Sequence, residues 1–307
     1  MLGILGSGFG LYGYLPAAVD AGYDRILLPI RYREKLEVRS ELKCFYPKII
    51  WAKSDDEVCE NASSLVYSKR PIDQLETAAE LLAKPQLNTI IFEKPLAPNP
   101  DSASELLKLI YDSRKKCSVG FILRFTQWAI SLSDQIKSQS SGPQQIWSIK
   151  WQFLAHHFKH NLHTWKRDHS QGGGVLRFYG IQFIALLSDW GYNEAAISKI
   201  GMSINRPDFS LWQAVFRGKD LPEIRLEIDS GSSHTQFCVK SVNDNKFLHS
   251  SSDIFDFSNS TLVDARCKFL TRLLLNAETQ EARLSTGLVR INNLWEQVEN
   301  STIFIEV

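Results

Sequence analysis

The sequence predicts an α/β chain of two domains. A doubly wound, parallel-sheet domain occupies residues 1–121, and an α+β domain with an open, mostly antiparallel sheet occupies 122–307. Three observations predict it. Short apolar runs alternate with helix-spaced segments from Met1 to about Phe125, the signature of βαβ units. Beyond Phe125, period-2 runs succeed one another across short polar turns, as in antiparallel sheets. The 307 residues also exceed the ~100–200 of one ordinary domain.

The elements follow in order. MLGILG reads as a buried strand. GLYGYLPAAVDAG has helical spacing and ends on Gly22, a residue suited to a helix C-cap. DRILLPI is a second strand and SSLVYS, Ser63–Ser68, a third. PIDQLETAAELLAK is a helix with Pro71 in its first turn, where a missing N–H is no loss. NTIIFEKP is a fourth strand, SASELLKLIYDSRKKC a helix introduced by Pro100 and Asp101, and SVGFILRF a fifth strand. In the second domain WAISLSDQIKSQ is a helix, SSGPQ a turn and QQIWSIKWQFLAHHF a long strand-forming run. ISKIGMSI, LWQAVFRG, PEIRLEIDS and HTQFCVKS read as further strands, HSSSDIFDFSNS as a loop, and LVDARCKFLTRLLLNA and STGLVRINNLWEQVEN as closing helices. An open β face carrying Trp147, Trp151 and Phe153 needs covering, which predicts a homo-oligomer, dimer or tetramer, built through this sheet.

Composition removes several function classes. The formal net charge is +1, so no global field draws the chain to nucleic acid or to an anionic membrane. No apolar run reaches the ~18–20 residues of a membrane span. Met1 leads almost directly into a strand, with no basic leader segment. Cys44, Cys59, Cys117, Cys238 and Cys267 are scattered, odd in number and without metal-ligand spacing. Free thiols and a cytoplasmic location are the expectation.

The first strand ends in GSGFGLYG. Gly6 suits a tight turn, and Gly8 lets the backbone approach a pyrophosphate. The helix N-terminus beyond offers N–H groups and a partial positive charge to phosphates. Counted from Gly6, the third glycine of GxGxxG is replaced by Leu11; counted from Gly8, the pattern is complete with Gly10 and Gly13. Its place between a strand and a helix at the start of a βαβ unit marks a Rossmann dinucleotide-binding domain. Gly6, Gly8, Phe9, Gly10 and Leu11 are the expected loop contacts. The end of the second strand decides which nicotinamide is bound, since an acid there would hold the ribose hydroxyls of NAD. ILLPIRYREK carries none at that point, and Arg31 and Arg33 flank Tyr32. A guanidinium grips a phosphate bidentately, and Tyr32 could stack near the adenine. NADP is therefore expected, with NAD the alternative.

At the end of the fourth strand stands EKPLAPNPDSASELL. With GSGFG, the GF..RF of the fifth strand, Trp165-Lys166-Arg167 and the GGG of Gly172–Gly174, it forms an ordered set along nearly the whole chain. Together these motifs resemble the glucose–fructose oxidoreductase / inositol dehydrogenase family (Gfo/Idh/MocA). The resemblance implies a Rossmann domain and a C-terminal α/β domain whose open sheet often forms an oligomer interface. It also implies NAD(P)-dependent chemistry on sugars, cyclitols, sugar nucleotides or related small molecules. It places Lys94 of Glu93-Lys94-Pro95 near the nicotinamide and the reacting carbon. An ammonium there, partly desolvated beside a cationic ring, would have a lowered pKa and could donate or relay a proton.

The family follows GGG with an Asp and, four residues on, a His that commonly serves as general acid/base. Here those positions hold Phe178, which carries neither proton nor charge, and Gln182, which hydrogen-bonds but does not titrate. The family's third-strand turn is often followed by a His. Here Ser68, Lys69 and Arg70 form the turn, with Gln74 at the His position, and the two cations would add positive charge near a phosphate-bearing ligand. Arg124 matches a polar or basic position near the cofactor in relatives.

With the usual pair substituted, Lys94 is the expected proton donor and Gln182 the group that orients the substrate. A base could instead come from HHFKHNLHTWKRDH. There His160 and His163 are the expected substrate contacts, His163 being a catalytic candidate, and Trp165 with Arg167 or Lys166 could take an anionic substrate group. The histidine spacing matches no metal motif, and no metal is expected. The leading expectation is an NADP(H)-dependent oxidoreductase of a small polar molecule such as a sugar or sugar nucleotide. The alternatives are a redox-neutral enzyme that retains its cofactor, and a non-catalytic regulatory or partner subunit on the same scaffold.

Overall fold

Six parallel strands form the first sheet, in the order β3-β2-β1-β4-β5-β6. They are β1 (Leu2–Leu5), β2 (Ile26–Pro29), β3 (Ile49–Ala52), β4 (Ser64–Tyr67), β5 (Thr89–Phe92) and β6 (Lys116–Val119). The structure, a computed structural model, describes residues 1–138, 145–202, 208–255, 264–279 and 285–306. Strands β1, β2, β4 and β5 are buried throughout, which is why they read as unbroken apolar runs. Strand order reverses between β1 and β4, and the carboxyl ends of strands at such a reversal are where doubly wound sheets bind ligands.

The helices of this unit carry the crossovers. A π-helical turn, Gly10–Tyr14, runs on into α1 (Leu15–Asp20). Then come α2 (Arg33–Glu37), α3 (Asp55–Asn61), α4 (Pro71–Ala83) and α5 (Pro100–Ser113). Strand β3 and helix α3 are additions to the sequence expectation. Ile49, Ile50 and Trp51 are only half-buried and follow a Pro-containing 3-10 stretch, Ser40–Lys48, so no clean apolar run announces them. Helix α3 did carry a sequence signal, Ser-x-x-Glu: the Ser54 hydroxyl accepts the Glu57 N–H at 3.1 Å, and Asp55, Asp56 and Glu57 fill the positive first turn.

The second unit has its own sheet, ordered β12-β11-β7-β10-β9-β8-β13. Its elements are α6 (Gln127–Ser138), β7 (Trp147–Leu154), α7 (His156–Lys159), a π-helical turn Val175–Gly180 leading into α8 (Ile181–Asp189), β8 (Glu194–Met202), β9 (Phe209–Arg217), β10 (Ile224–Asp229), β11 (Gly231–Ser241) and β12 (Phe247–Ser251). After α9 (Cys267–Thr279) the unit closes with α10 (Ser285–Asn300) and β13 (Thr302–Glu306). Four neighbouring pairs are antiparallel and two, β7 with β10 and β8 with β13, are parallel. Strands β12 and β13 were not expected; β12 takes the start of the segment read as a loop.

The expected turn at 140–144 lies outside the described residues. So do the ends of the expected loop at 249–260, of the strand at 197–204 and of the helices at 128–139 and 262–277.

Two expectations need correction. Trp147 and Trp151 do not face outward: both are buried, and Trp151 packs on Phe183 of α8. The opposite face carries a polar row in which Lys150 and Gln213 both bind Glu227, with Ile197 and Ile303 exposed nearby, so the tryptophans are not the open apolar face. The chain also does not divide cleanly at 121/122. The first unit takes Met1–Ala97 and Ser102–Ile122, and it also takes α9 from late in the chain. Cys267 Sγ lies 3.3 Å from the Gly13 carbonyl oxygen and Thr271 donates to the Ala17 carbonyl at 3.3 Å, which fixes α9 along α1. All five cysteines are free. Among the described residues no helix is long and apolar enough to cross a membrane.

Candidate functional site

The glycine turn is built as a phosphate cradle would be. Gly6 has φ +142°, and a Cβ there would lie 2.2 Å from the Ser68 carbonyl oxygen, so only glycine fits between β1 and β4. Gly8 is exposed, and a Cβ built on it would meet no atom within 4 Å. That space is open to a ligand. Gly10 is buried against Ile4 and Ser68. Leu11 is a core residue, 1% exposed, whose N–H returns to the Gly8 carbonyl at 2.9 Å, so its side chain is not the expected cofactor contact. The helix-packing glycine is Gly13, where a Cβ would enter the Phe9 ring at 2.4 Å. Phe9 itself is clamped edge-on by Tyr12 and Tyr14 and covered by the Arg266 guanidinium, 4.4 Å from its centroid.

Around this turn stand the groups expected at the adenosine end. Tyr32 is buried, and its hydroxyl accepts the Gly6 N–H at 3.0 Å. It therefore supports the turn from beneath, and its ring does not offer the expected stacking face. Arg31 and Lys69 both pair with Asp55. Arg70 grips Asp73 at the start of α4 with two bonds, 3.0 and 2.7 Å, an exposed pair that caps a helix. Arg33 pairs with Glu37. Lys35, not among the expected residues, donates from Nζ to the Ser7 hydroxyl at 2.8 Å, which puts an ammonium on the glycine turn. Its position within IRYREK was the available signal.

Glu93 and Lys94 follow β5, and the Lys94–Pro95 peptide is cis. Gln74 was expected to touch the cofactor. It is instead fully buried on the inner face of α4, in line with Ala78, Leu81 and Leu82. Its Oε1 accepts the Glu93 N–H at 2.8 Å, and its Nε2 lies 2.9, 2.9 and 3.1 Å from the carbonyl oxygens of Glu93, Pro95 and Leu96. An amide with both ends engaged is a clamp on the turn that carries Lys94. The Glu93 side chain is held separately: the Tyr14 hydroxyl donates to its Oε2 at 2.9 Å. Burial pushes the Glu93 carboxyl above its ordinary range, against the opposing charge of Lys94. Burial and the neighbouring Glu93 hold the Tyr14 proton even more firmly, so Tyr14 stays the donor. Gly120 completes the arrangement, since a Cβ there would stand 2.8 Å from the Tyr14 hydroxyl and 2.9 Å from Glu93.

In the second unit the GGG motif is explained by packing. Gly172 and Gly174 have φ +86° and +74°, and a Cβ on Gly173 would sit 2.2 Å from the Trp165 carbonyl oxygen. The glycines let the chain lie against Trp165 and Lys166 before the π-helical turn begins. Phe178, half-buried, meets the Trp165 ring edge-on at 5.4 Å, with Lys166 Nζ 5.3 Å above its centroid. Gln182 is buried on α8. Arg167 does not present the anion site that was expected: Asp208 takes its guanidinium, Nε donating at 3.0 Å, and Asn161 accepts from Nη1 at 3.1 Å. Arg124, expected near the cofactor, pairs with Asp189 at 3.0 Å. His160 and His163 are exposed, the His160 ring 4.5 Å from that of His156. No group of three or more His, Cys, Asp or Glu among the described residues could hold a metal.

No family model and no curated protein sequence matches the chain. Solved structures do. The chain is similar to KijD10, a 3-ketoreductase from Actinomadura kijaniata in complex with NADP and TDP-benzene, at 12% identity and TM-score 0.72, covering 100% of this chain and 98% of that one. It is similar to the WlbA dehydrogenase from Bordetella pertussis in complex with NADH and UDP-GlcNAcA, at 11% identity and TM-score 0.72, covering 97% and 95%. It is also similar to a myo-inositol dehydrogenase from Corynebacterium glutamicum, at 13% identity and TM-score 0.71, covering 98% and 96%. The fold is theirs. The matched regions span 97–100% of this chain, so both the Rossmann-type unit and the second α+β unit are covered in each comparison.

Proposed function

We propose that the chain is an NADP(H)-dependent oxidoreductase acting on a small polar substrate of the sugar or sugar-nucleotide class, with Lys94 as proton donor. One observation carries this reading: the Gly6–Gly8 turn, Ser68 and the Glu93–Lys94 turn follow three neighbouring strands, β1, β4 and β5, at the reversal of strand order. The open space at Gly8 and the ammonium of Lys35 beside Ser7 suit the phosphates of a dinucleotide. The ligands of KijD10 and WlbA, a dinucleotide with a nucleotide-linked molecule in each, support the same substrate class.

The dinucleotide, when bound, supplies or accepts the hydride. Lys94 holds the proton at Nζ that a carbonyl oxygen takes as it becomes a hydroxyl, and solvent returns it. Gln74 fixes the backbone under Lys94, and Glu93, steadied by Tyr14, places a carboxyl beside it. Substrate recognition falls to the second unit, with Trp165, Lys166, Phe178 and Gln182 as the proposed contacts and His160 and His163 on its exposed loop. Homo-oligomerisation is a further expectation, open to light scattering.

The test is a fluorescence titration of the whole chain with NADPH and NADH, followed by a screen of nucleoside-diphosphate sugars and cyclitols for NADPH oxidation or NADP reduction. The expected result is dinucleotide binding in wild type and in Lys94→Ala, with turnover lost by ~100-fold or more in the variant. Failure of both dinucleotides to bind would overturn the reading and favour a subunit role. Full turnover in Lys94→Ala would remove Lys94 as donor.

A further inference from the structure

Two cations that the sequence offers to an adenosine phosphate share one carboxylate. Asp55 opens α3 just after its Ser54 cap. One of its oxygens accepts from Lys69 Nζ at 2.9 Å, and the other pairs with Arg31. The three side chains follow the carboxyl ends of three different strands, Arg31 after β2, Asp55 after β3 and Lys69 after β4. They gather beside Tyr32, the residue whose hydroxyl receives the Gly6 N–H.

A phosphate brought to Arg31 or Lys69 therefore meets the Asp55 carboxylate as well. Like charges within a few ångströms repel, and each cation is already partly matched. A ribose carrying only hydroxyls meets no such repulsion, and a carboxylate is a good acceptor for them.

We propose that Asp55 is the residue that sets discrimination between NADP and NAD, lowering the affinity for a 2′-phosphate towards that for a bare ribose. This rests on the dinucleotide reading of the glycine turn. Asp55→Asn keeps the size of the side chain and leaves Asp56 and Glu57 to face the α3 N-terminus. Its amide still accepts from one cation but no longer repels a phosphate.

The test is calorimetric titration of the whole chain, wild type and Asp55→Asn, with 2′,5′-ADP and with 5′-AMP, repeated with NADPH and NADH. Asp55→Asn is expected to tighten 2′,5′-ADP about tenfold, equivalent to about 1.4 kcal/mol, and to leave 5′-AMP within about twofold. The gain should shrink as salt is raised, because the cluster is partly exposed. A general loss of structure would weaken both ligands alike, so the ratio of the two affinities isolates the charge effect. Equal changes for both ligands, or weaker 2′,5′-ADP binding in the variant, would overturn the role of Asp55 while leaving the cofactor reading standing. Failure of wild type to bind any of the four ligands would overturn that reading and this inference with it.

Discussion

Gln74 and Glu93 are joined twice through the backbone: the Gln74 side-chain oxygen accepts the Glu93 N–H at 2.8 Å, and its nitrogen donates to the Glu93 carbonyl at 2.9 Å. The pair ties the inner face of α4 to the turn after β5. Gln74→Ala would leave the carbonyls of Pro95 and Leu96 without this donor in a dry interior, while the Glu93 N–H would keep only its longer bond to the Tyr67 carbonyl at 3.2 Å. Each orphaned group costs about 1–3 kcal/mol. Urea unfolding should show a loss of about 3 kcal/mol, and Gln74→Glu, which buries a charge and removes a donor, at least as much. A loss below about 0.5 kcal/mol in Gln74→Ala would show that water replaces the amide there.

Gly6 and Gly8 should behave oppositely. A side chain at Gly6 combines a left-handed φ with a collision against the Ser68 carbonyl. Gly6→Ala is expected to lose about 2 kcal/mol or more of folding stability. Gly8→Ala meets nothing in the protein and should unfold within about 0.5 kcal/mol of wild type, yet bind NADPH much more weakly. Wild-type NADPH affinity in Gly8→Ala would mean that no phosphate approaches this backbone.

Gly120→Ala probes the Tyr14–Glu93 bond. The new methyl would push on both the hydroxyl and the carboxylate. The double variant Gly120→Ala/Tyr14→Phe removes one of the two colliding atoms, so it should recover part of the stability lost in Gly120→Ala. Thermal unfolding of the single and double variants reads the coupling, which for groups in contact is about 0.5–3 kcal/mol. Strict additivity would deny the contact.

Acid should act in two separate windows. His157 is buried beside Tyr179, and burial, reinforced by Lys166 and Arg167, holds its pKa down to about 4 from 6.5. A depressed histidine contributes stability above its unfolded pKa. That contribution is lost as pH falls from 6.5 towards 4, by about 3 kcal/mol in all. Glu299 lies lower. Burial opposes its ionisation, but the neighbouring His169 ring, 3.6 Å away, and two hydrogen bonds from Arg177 outweigh burial and bring it to about 2 from 4.5. Its contribution is present above pH 4.5 and is lost below, again by about 3 kcal/mol by pH 2. Unfolding free energies measured from pH 8 to pH 2 should flatten in the upper window for His157→Gln and in the lower one for Glu299→Gln. One common step for both variants would refute the assignment.

Much of the first unit was legible because parallel strands buried on both faces leave apolar runs in the sequence, as β1, β4 and β5 do. The glycine turn was legible for the same local reason, since a strand, a tight bend and a helix are contiguous. Strand β3 was not, being half-buried and preceded by Pro47. Asp55 could not be tied to Arg31 and Lys69 from sequence, because the three meet only after strands β2, β3 and β4 are ordered in the sheet. Gln74 carried a usable sign: a polar residue on the apolar stripe of α4, spaced with Ala78, Leu81 and Leu82, has to satisfy its amide inside the core. The tryptophans of β7 misled because alternation tells which residues share a face but not which face is covered.

The return of α9 to the first unit has a consequence for biosynthesis. A nascent chain that has emerged as far as Ile122 holds all six strands of the parallel sheet, yet the helix that lies along α1 is still unmade. Until translation passes Thr279 the flank of α1 that receives Cys267 and Thr271 stays bare. An amino-terminal fragment cut at the end of the sheet should therefore aggregate. A circular permutant that brings α9 next to Met1 should let this half mature by itself.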